Sequence, residues 1–125
     1  MLITRLLMAF GVTLLVPSAW LLAAGGPPFQ ITLHNVPPFY EPASAQVPSG
    51  TGIQWQNATD MHHTITHDGC TGRRRCLFES GPIPPSRSFT VSPLPSGTYH
   101  YHCDIHPFMR GVISVSAPSW KPERM

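Results

Sequence analysis

The sequence predicts an all-β fold: a Greek-key sandwich of about eight short strands behind an amino-terminal export segment. Three observations lead there. The chain has 125 residues, enough for one domain and not two. Fifteen prolines and ten glycines punctuate it, and past the opening segment helical periodicity never holds for long without meeting one. Between these breaks lie short runs in which apolar and polar side chains alternate, the period of a half-buried strand.

The opening segment places Arg5 before "LLMAFGVTLLV", then Pro17 and the small residues of "SAWLLAAGG". A charged start, an apolar stretch and a small-residue zone make a signal peptide, with cleavage near Ala24. The rival is an uncleaved anchor, since the run from Leu6 to Ala24 nearly spans a bilayer. Pro17 and the small residues after it favour cleavage, and export to the periplasm follows. No cysteine lies beside the cleavage zone, which argues against a lipid-modified terminus. The expected division is a signal peptide over 1–24, one domain over 27–117 and a mobile tail over 118–125.

Within the domain, "FQITLH" alternates Phe29, Ile31 and Leu33. A weaker strand is expected near Ala43–Val47. "GIQWQN" puts Ile53 and Trp55 on one face, and "HHTIT" alternates around Ile65. Asn57 and Asp60 between them read as turn formers. Another weak strand is expected near Leu77–Glu79, followed by "RSFTVS" with Phe89 and Val91. "GTYHYHC" sets Tyr99, Tyr101 and Cys103 on the inner face and His100 and His102 on the outer one. One of the two tyrosines is a candidate tyrosine corner. "GVISVS" closes the domain with Val112 or Ile113 facing in.

The net charge is +2, and losing Arg5 with the signal peptide leaves seven basic against six acidic side chains. A near-neutral domain excludes nucleic acid as a general partner, because phosphate binding needs a basic excess. The one local bias, Arg73, Arg74 and Arg75, reads as a solvated loop, with steering of an acidic partner as the alternative. Three cysteines in an exported chain is an odd number. Cys70 and Cys76 in "CTGRRRC" are expected to form a disulfide. The alternatives are two free thiols or a second metal site with His67. The odd thiol is then Cys103, which metal binding would protect from oxidation.

Cys103 stands in "YHYHCDIHPFMRGVI", with His106 and Met109 at steps of three. That spacing is also one face of a helix, where Cys and Met are ordinary core residues. Two features defeat the helix. The residues before Cys103 alternate with period two, and after it Pro107 and Gly111 interrupt any helical run. The three side chains belong to a tight loop after a strand, which can wrap one point from several sides. Zinc rarely takes a thioether. A thiolate, two imidazoles and a weak axial Met instead form a type 1, or blue, copper site. Its second histidine must come from elsewhere. Strand parity turns His62, His100 and His102 away, and His34 lacks local support, which leaves His63 ahead of His67.

Two segments carry a family resemblance. "YHYHCDIHPFMRG" resembles the ligand loop of cupredoxins, and "WQNATDMHHTIT" resembles the strand and turn that bring their first copper histidine. Within that family the chain is most similar to the amicyanin, pseudoazurin and plastocyanin branches, over about residues 29 to 116. The resemblance places the copper ligands on His63, Cys103, His106 and Met109. Thr64 departs from it, since amicyanins carry an asparagine there, and so does the "CTGRRRC" insertion. It implies a monomeric carrier of single electrons, cycling between Cu(I) and Cu(II), with His106 as the electron exit. Redox proteins (a cytochrome, dehydrogenase, reductase or oxidase) would dock near His106, Pro107 and Phe108, with Pro37, Pro38 and Phe39 beside them. No membrane is needed once the signal peptide is gone. Four protein ligands leave no open position, which argues against an enzyme. The alternatives are a copper storage or delivery protein, or a subunit of a copper enzyme, which would need more domains and further His-x-His pairs than "HYH" at 100–102.

Overall fold

The computed structural model describes residues 26–72 and 74–119. The expected signal peptide, Arg73 and most of the expected tail lie outside them. Among the described residues eight strands form two four-stranded sheets. They are β1 (Phe29–Leu33), β2 (Tyr40–Glu41), β3 (Ser44–Val47), β4 (Ile53–Asn57), β5 (Thr66–His67), β6 (Ser88–Val91), β7 (Gly97–His102) and β8 (Arg110–Val115). One sheet runs β2-β1-β4-β6 and the other β3-β8-β7-β5. β1 pairs with β4, and β3 with β8, in parallel; the other pairings are antiparallel.

The alternation read from the sequence is the alternation that packs. In β4, Ile53 and Trp55 are fully buried, and in β1 so are Ile31 and Leu33. In β7, Tyr99 and Tyr101 point inward while His100 is exposed. In β8 it is Ile113 that is buried and Val112 that is half-exposed. Between the sheets, the Trp55 ring lies 5.5 Å from that of Tyr101, which meets Tyr40 edge-on at 4.9 Å. A methyl at Gly111 would collide with the Tyr101 ring, so the β7–β8 register needs a glycine there. Tyr99 donates its hydroxyl to the carbonyl of Pro95, the local bond of a tyrosine corner.

Three elements differ from the reading of the sequence. β2 is a two-residue strand that follows no alternation. The expected strand around Ile65 reduces to β5 plus a single bridge from His63 to Ile83. There His63, Thr64, Ile65 and Thr66 are all buried, because the segment runs under both the β7–β8 loop and the chain around Ile83. The expected strand at Leu77–Glu79 is only a bridge from Glu79 to Thr66, with the His67 amide donating to the Phe78 carbonyl beside it. A sulfur–sulfur bond does join Cys70 and Cys76, next to a 3-10 turn over Asp68–Cys70. Among the described residues no helix is long and apolar enough to cross a membrane.

Candidate metal centre

The loop from Cys103 to Met109 joins β7 to β8 directly beyond the pair His102–Arg110. Two backbone bonds fold it. The Cys103 amide donates to the Met109 carbonyl at 3.1 Å, and the Met109 amide to the His106 carbonyl at 2.9 Å. Pro107 has no amide to offer, and no helix forms. The loop therefore curls so that Cys103 and Met109 are both buried while His106 stays half-exposed.

His63 arrives from the other side, held by its bridge to Ile83. Its Nδ1 lies 3.1 Å from His106 Nδ1 and 3.9 Å from Cys103 Sγ, and His106 Nδ1 lies 3.8 Å from the same sulfur. A trigonal metal with bonds of about 2.0 Å to nitrogen and about 2.3 Å to sulfur needs edges of about 3.5 and 3.7 Å. The triangle meets that need within a few tenths of an ångström. Met109 lines the same cavity as His63 and His106. One thiolate, two imidazoles and a thioether are the donor set of a type 1 copper. The other histidines do not join it. His62 and His100 are exposed, and the His67 ring packs on Phe78 and Tyr99.

Hydrogen bonds orient the ligands. His63 Nε2 lies 2.9 Å from Thr59 Oγ1, which gives its short bond of 2.7 Å to Asn57 Oδ1. Thr59 thus accepts from His63, which puts the ring proton on Nε2 and leaves Nδ1 with a free lone pair. Burial, and next the adjacent His106, hold the His63 pKa below the usual histidine value, which keeps that lone pair unprotonated. Asn57 is buried and fully engaged. It donates to the carbonyls of Met61 (2.8 Å) and Ile83 (3.0 Å) and accepts from the Thr59 amide and hydroxyl. It is the turn former the sequence suggests, through the Thr59 amide, and also the hub of the His63 turn.

On the sulfur side, the Thr64 amide donates to Cys103 Sγ at 3.3 Å. The Thr64 hydroxyl accepts from the Asp104 amide at 2.7 Å and lies 3.1 Å from Thr66 Oγ1. Thr66 gives its only proton to Asp104 Oδ2 at 2.8 Å, so Thr64 must donate to Thr66. The closed circuit ties the residue after His63 to the residue after Cys103. Outside it, His102 bridges Asp104 (3.0 Å) and Asp68 (2.6 Å), and Arg110 binds the other oxygen of Asp68 at 2.8 Å. His102 was expected to face solvent; its side chain is only 12% exposed because the two carboxylates clamp it. The sequence reading missed Thr59, Thr66 and Asp104. The signal for them was faint, three small polar residues within a few positions of the ligands.

The chain on either side of His106 exposes apolar side chains. Phe108 is 65% exposed and Ile105 48%. Phe108 sits 5.8 Å from the His106 ring and 5.2 Å from that of Phe39, while Pro37, Pro38 and Pro107 are exposed nearby in sequence.

The model of the cupredoxin-like domain family matches residues 5–115. The amicyanin of Paracoccus denitrificans is 32% identical over 76 residues, which are 61% of this chain and 57% of that protein. The match therefore spans little more than half of that relative's length. Among solved structures, a purple cupredoxin from Nitrosopumilus maritimus superposes with a TM-score of 0.62 at 28% identity, over 70% of this chain and 99% of that one. A proline-to-glycine variant of amicyanin, in its reduced Cu(I) form at pH 4, gives 0.61 at 25% identity, over 75% and 87%. With a family match over most of its length and two sheets that close on this donor set, the chain belongs to the cupredoxin-like domain family.

Proposed function

We propose that the protein carries single electrons on one type 1 copper held by His63, Cys103, His106 and Met109. The observation that carries this reading is the triangle of His63 Nδ1, His106 Nδ1 and Cys103 Sγ, with edges of 3.1 to 3.9 Å. When bound there, the metal supplies a reversible Cu(I)/Cu(II) couple. The chain supplies rigidity. Thr59 fixes one imidazole, the Thr64–Thr66–Asp104 circuit fixes the loop, and the Thr64 amide stabilises negative charge on the sulfur. Ligands fixed this way move little when the charge at the centre changes by one, which keeps reorganisation small. Four protein donors leave no coordination position for a substrate, so the role is that of a carrier rather than an enzyme.

His106 is the route for the electron, because it is the half-exposed imidazole of the set and shares its cavity wall with Phe108 and Phe39. A small apolar patch suits a redox protein that binds weakly and leaves quickly. Given the likeness to amicyanin, a dehydrogenase or cytochrome is the partner class proposed. The segment 1–24 acts as the export signal, which puts the 27–117 domain in the periplasm as a monomer. Potentiometric titration of the copper-loaded protein tests the core of this reading. A reversible one-electron wave supports it, and copper that is lost on reduction would refute it in favour of storage or delivery.

A further inference from the structure

The copper cavity opens to the surface through a mouth that carries two donors the electron carrier does not use. The cavity holds about 180 Å³. His63, His106 and Met109 line its inner part, and His34 and Met61 line it as well. Met61 is 46% exposed and the His34 side chain 42%. Neither has a packing role that demands its chemistry, since a half-exposed thioether gains little from burial and an imidazole less.

The backbone at both donors is nevertheless held in place. The Met61 carbonyl accepts from Asn57 Nδ2 at 2.8 Å and its amide donates to Thr59 Oγ1 at 3.2 Å, the same hydroxyl that orients His63. Met61 is thereby indexed to the first ligand. The His34 amide donates to the Phe39 carbonyl at 2.7 Å, and its Nε2 faces Glu41 at 3.7 Å. Next to each donor, Asn35 Nδ2 donates to Asp60 Oδ1 at 3.2 Å, which clips the His34 loop to the Met61 loop.

A thioether and an imidazole at the rim of one cavity are a soft, low-coordinate pair of the kind that Cu(I) favours. The ligands behind them are 2% exposed (His63) and 0% exposed (Cys103), and the cavity that His34 and Met61 line also reaches His63 and Met109. We propose that His34 and Met61 form a loading site for Cu(I), which captures the ion at the cavity mouth and passes it by way of half-exposed His106 to the buried ligands. No bond other than metal–ligand bonds forms or breaks, and the copper stays Cu(I) throughout. This inference rests on the type 1 copper reading.

The test is the rate at which copper becomes seated. Metal-free protein is mixed anaerobically with Cu(I) in acetonitrile-containing buffer. At timed delays, ferricyanide and EDTA are added together, so that seated copper turns blue and unseated copper is trapped. The paired change Met61→Leu and His34→Asn is expected to slow seating by about tenfold, the rate cost of about 1.4 kcal/mol of lost capture. The final blue intensity should equal that of the unaltered protein. Seating at an unchanged rate overturns the loading site and leaves the copper centre standing. An equal slowing for Cu(II), which has no preference for thioether, would make the pair a passive gate and also overturns it. Absence of blue colour in every protein, the unaltered one included, removes the type 1 reading and this inference with it. A second measurement uses the unaltered copper-loaded protein in its Cu(I) state. One equivalent of Ag(I), a soft probe for the rim, should shift the Met61 methyl resonance with a one-to-one end point. A methyl that does not move refutes the site without any substitution.

Discussion

Asn57→Ala is the substitution whose cost the structure determines best. The side chain is fully buried and makes four hydrogen bonds between 2.7 and 3.0 Å. Not all its partners are stranded by the change. The Ile83 carbonyl keeps the His63 amide at 3.3 Å, and the Met61 carbonyl can take the Thr59 hydroxyl at 3.1 Å. The buried Thr59 amide loses its acceptor, which costs about 1–3 kcal/mol, and the loss of the remaining bonds adds about 1–2. The expected destabilisation of the metal-free protein is about 3 kcal/mol. At about 5 °C per kcal/mol for a domain this small, the melting temperature falls by about 15 °C. Urea unfolding of the metal-free protein gives the free energy directly, and calorimetry gives the temperature. Thr59 turns its proton to Met61 in the variant and still accepts from His63, but Asn57 no longer holds its hydroxyl, so the blue band of the copper form should broaden. A loss below about 1 kcal/mol would refute the reasoning that Asn57 is the hub of the His63 turn.

Thr66→Val keeps the shape but breaks the circuit between Thr64 and Asp104. With the amide bond to the sulfur loosened, the reduced state loses stabilisation, and the potential of the copper form is expected to fall by about 20–60 mV, 59 mV being tenfold for one electron; Thr66→Ser should restore it, and an unmoved potential contradicts the role. Alkaline stability follows from two tyrosines. Burial, above all, pushes the Tyr40 and Tyr101 hydroxyls far above the ordinary value near 10. Their folded form stays neutral while the unfolded chain ionises, so stability is intact below about pH 10 and is lost as pH rises beyond it, at about 2.7 kcal/mol per unit for the pair. Among the described residues the Tyr40 hydroxyl has no hydrogen-bond partner, so Tyr40→Phe should halve that slope with little loss at neutral pH. An unchanged slope between pH 10 and 11.5 in urea unfolding would refute the assignment.

Much of this was legible in the sequence because it is local. Cys103, His106 and Met109 share one loop, and the proline after His106 rules out the helix that would have scattered them. The alternation in β1, β4 and β7 marked the core faces, since each of these strands has one side against the opposite sheet. The short spacing of Cys70 and Cys76 in an exported chain pointed to their disulfide. Parity failed where a segment is covered on both sides. From His63 to Thr66 every residue is buried, so an inside–outside rule ranks His63 above His67 for a reason that does not operate there. Asn57 is the turn former that its residue type suggests, since its Oδ1 takes the Thr59 amide two positions on, but its burial and its further bonds were not legible. Its partners Met61 and Ile83 are set by chain crossings that periodicity does not encode. The same holds for the clamp on His102, whose carboxylate at Asp68 comes from 34 positions away.

The central claim is that Cys103 binds copper as a thiolate beside two imidazoles. The most direct measurement is the visible spectrum of the Cu(II)-loaded domain beside that of Cys103→Ser. An intense thiolate-to-copper band is expected in the first and none in the second, with copper still bound in part by His63 and His106. A domain that binds copper without that band, or keeps it after the cysteine is removed, would contradict the assignment.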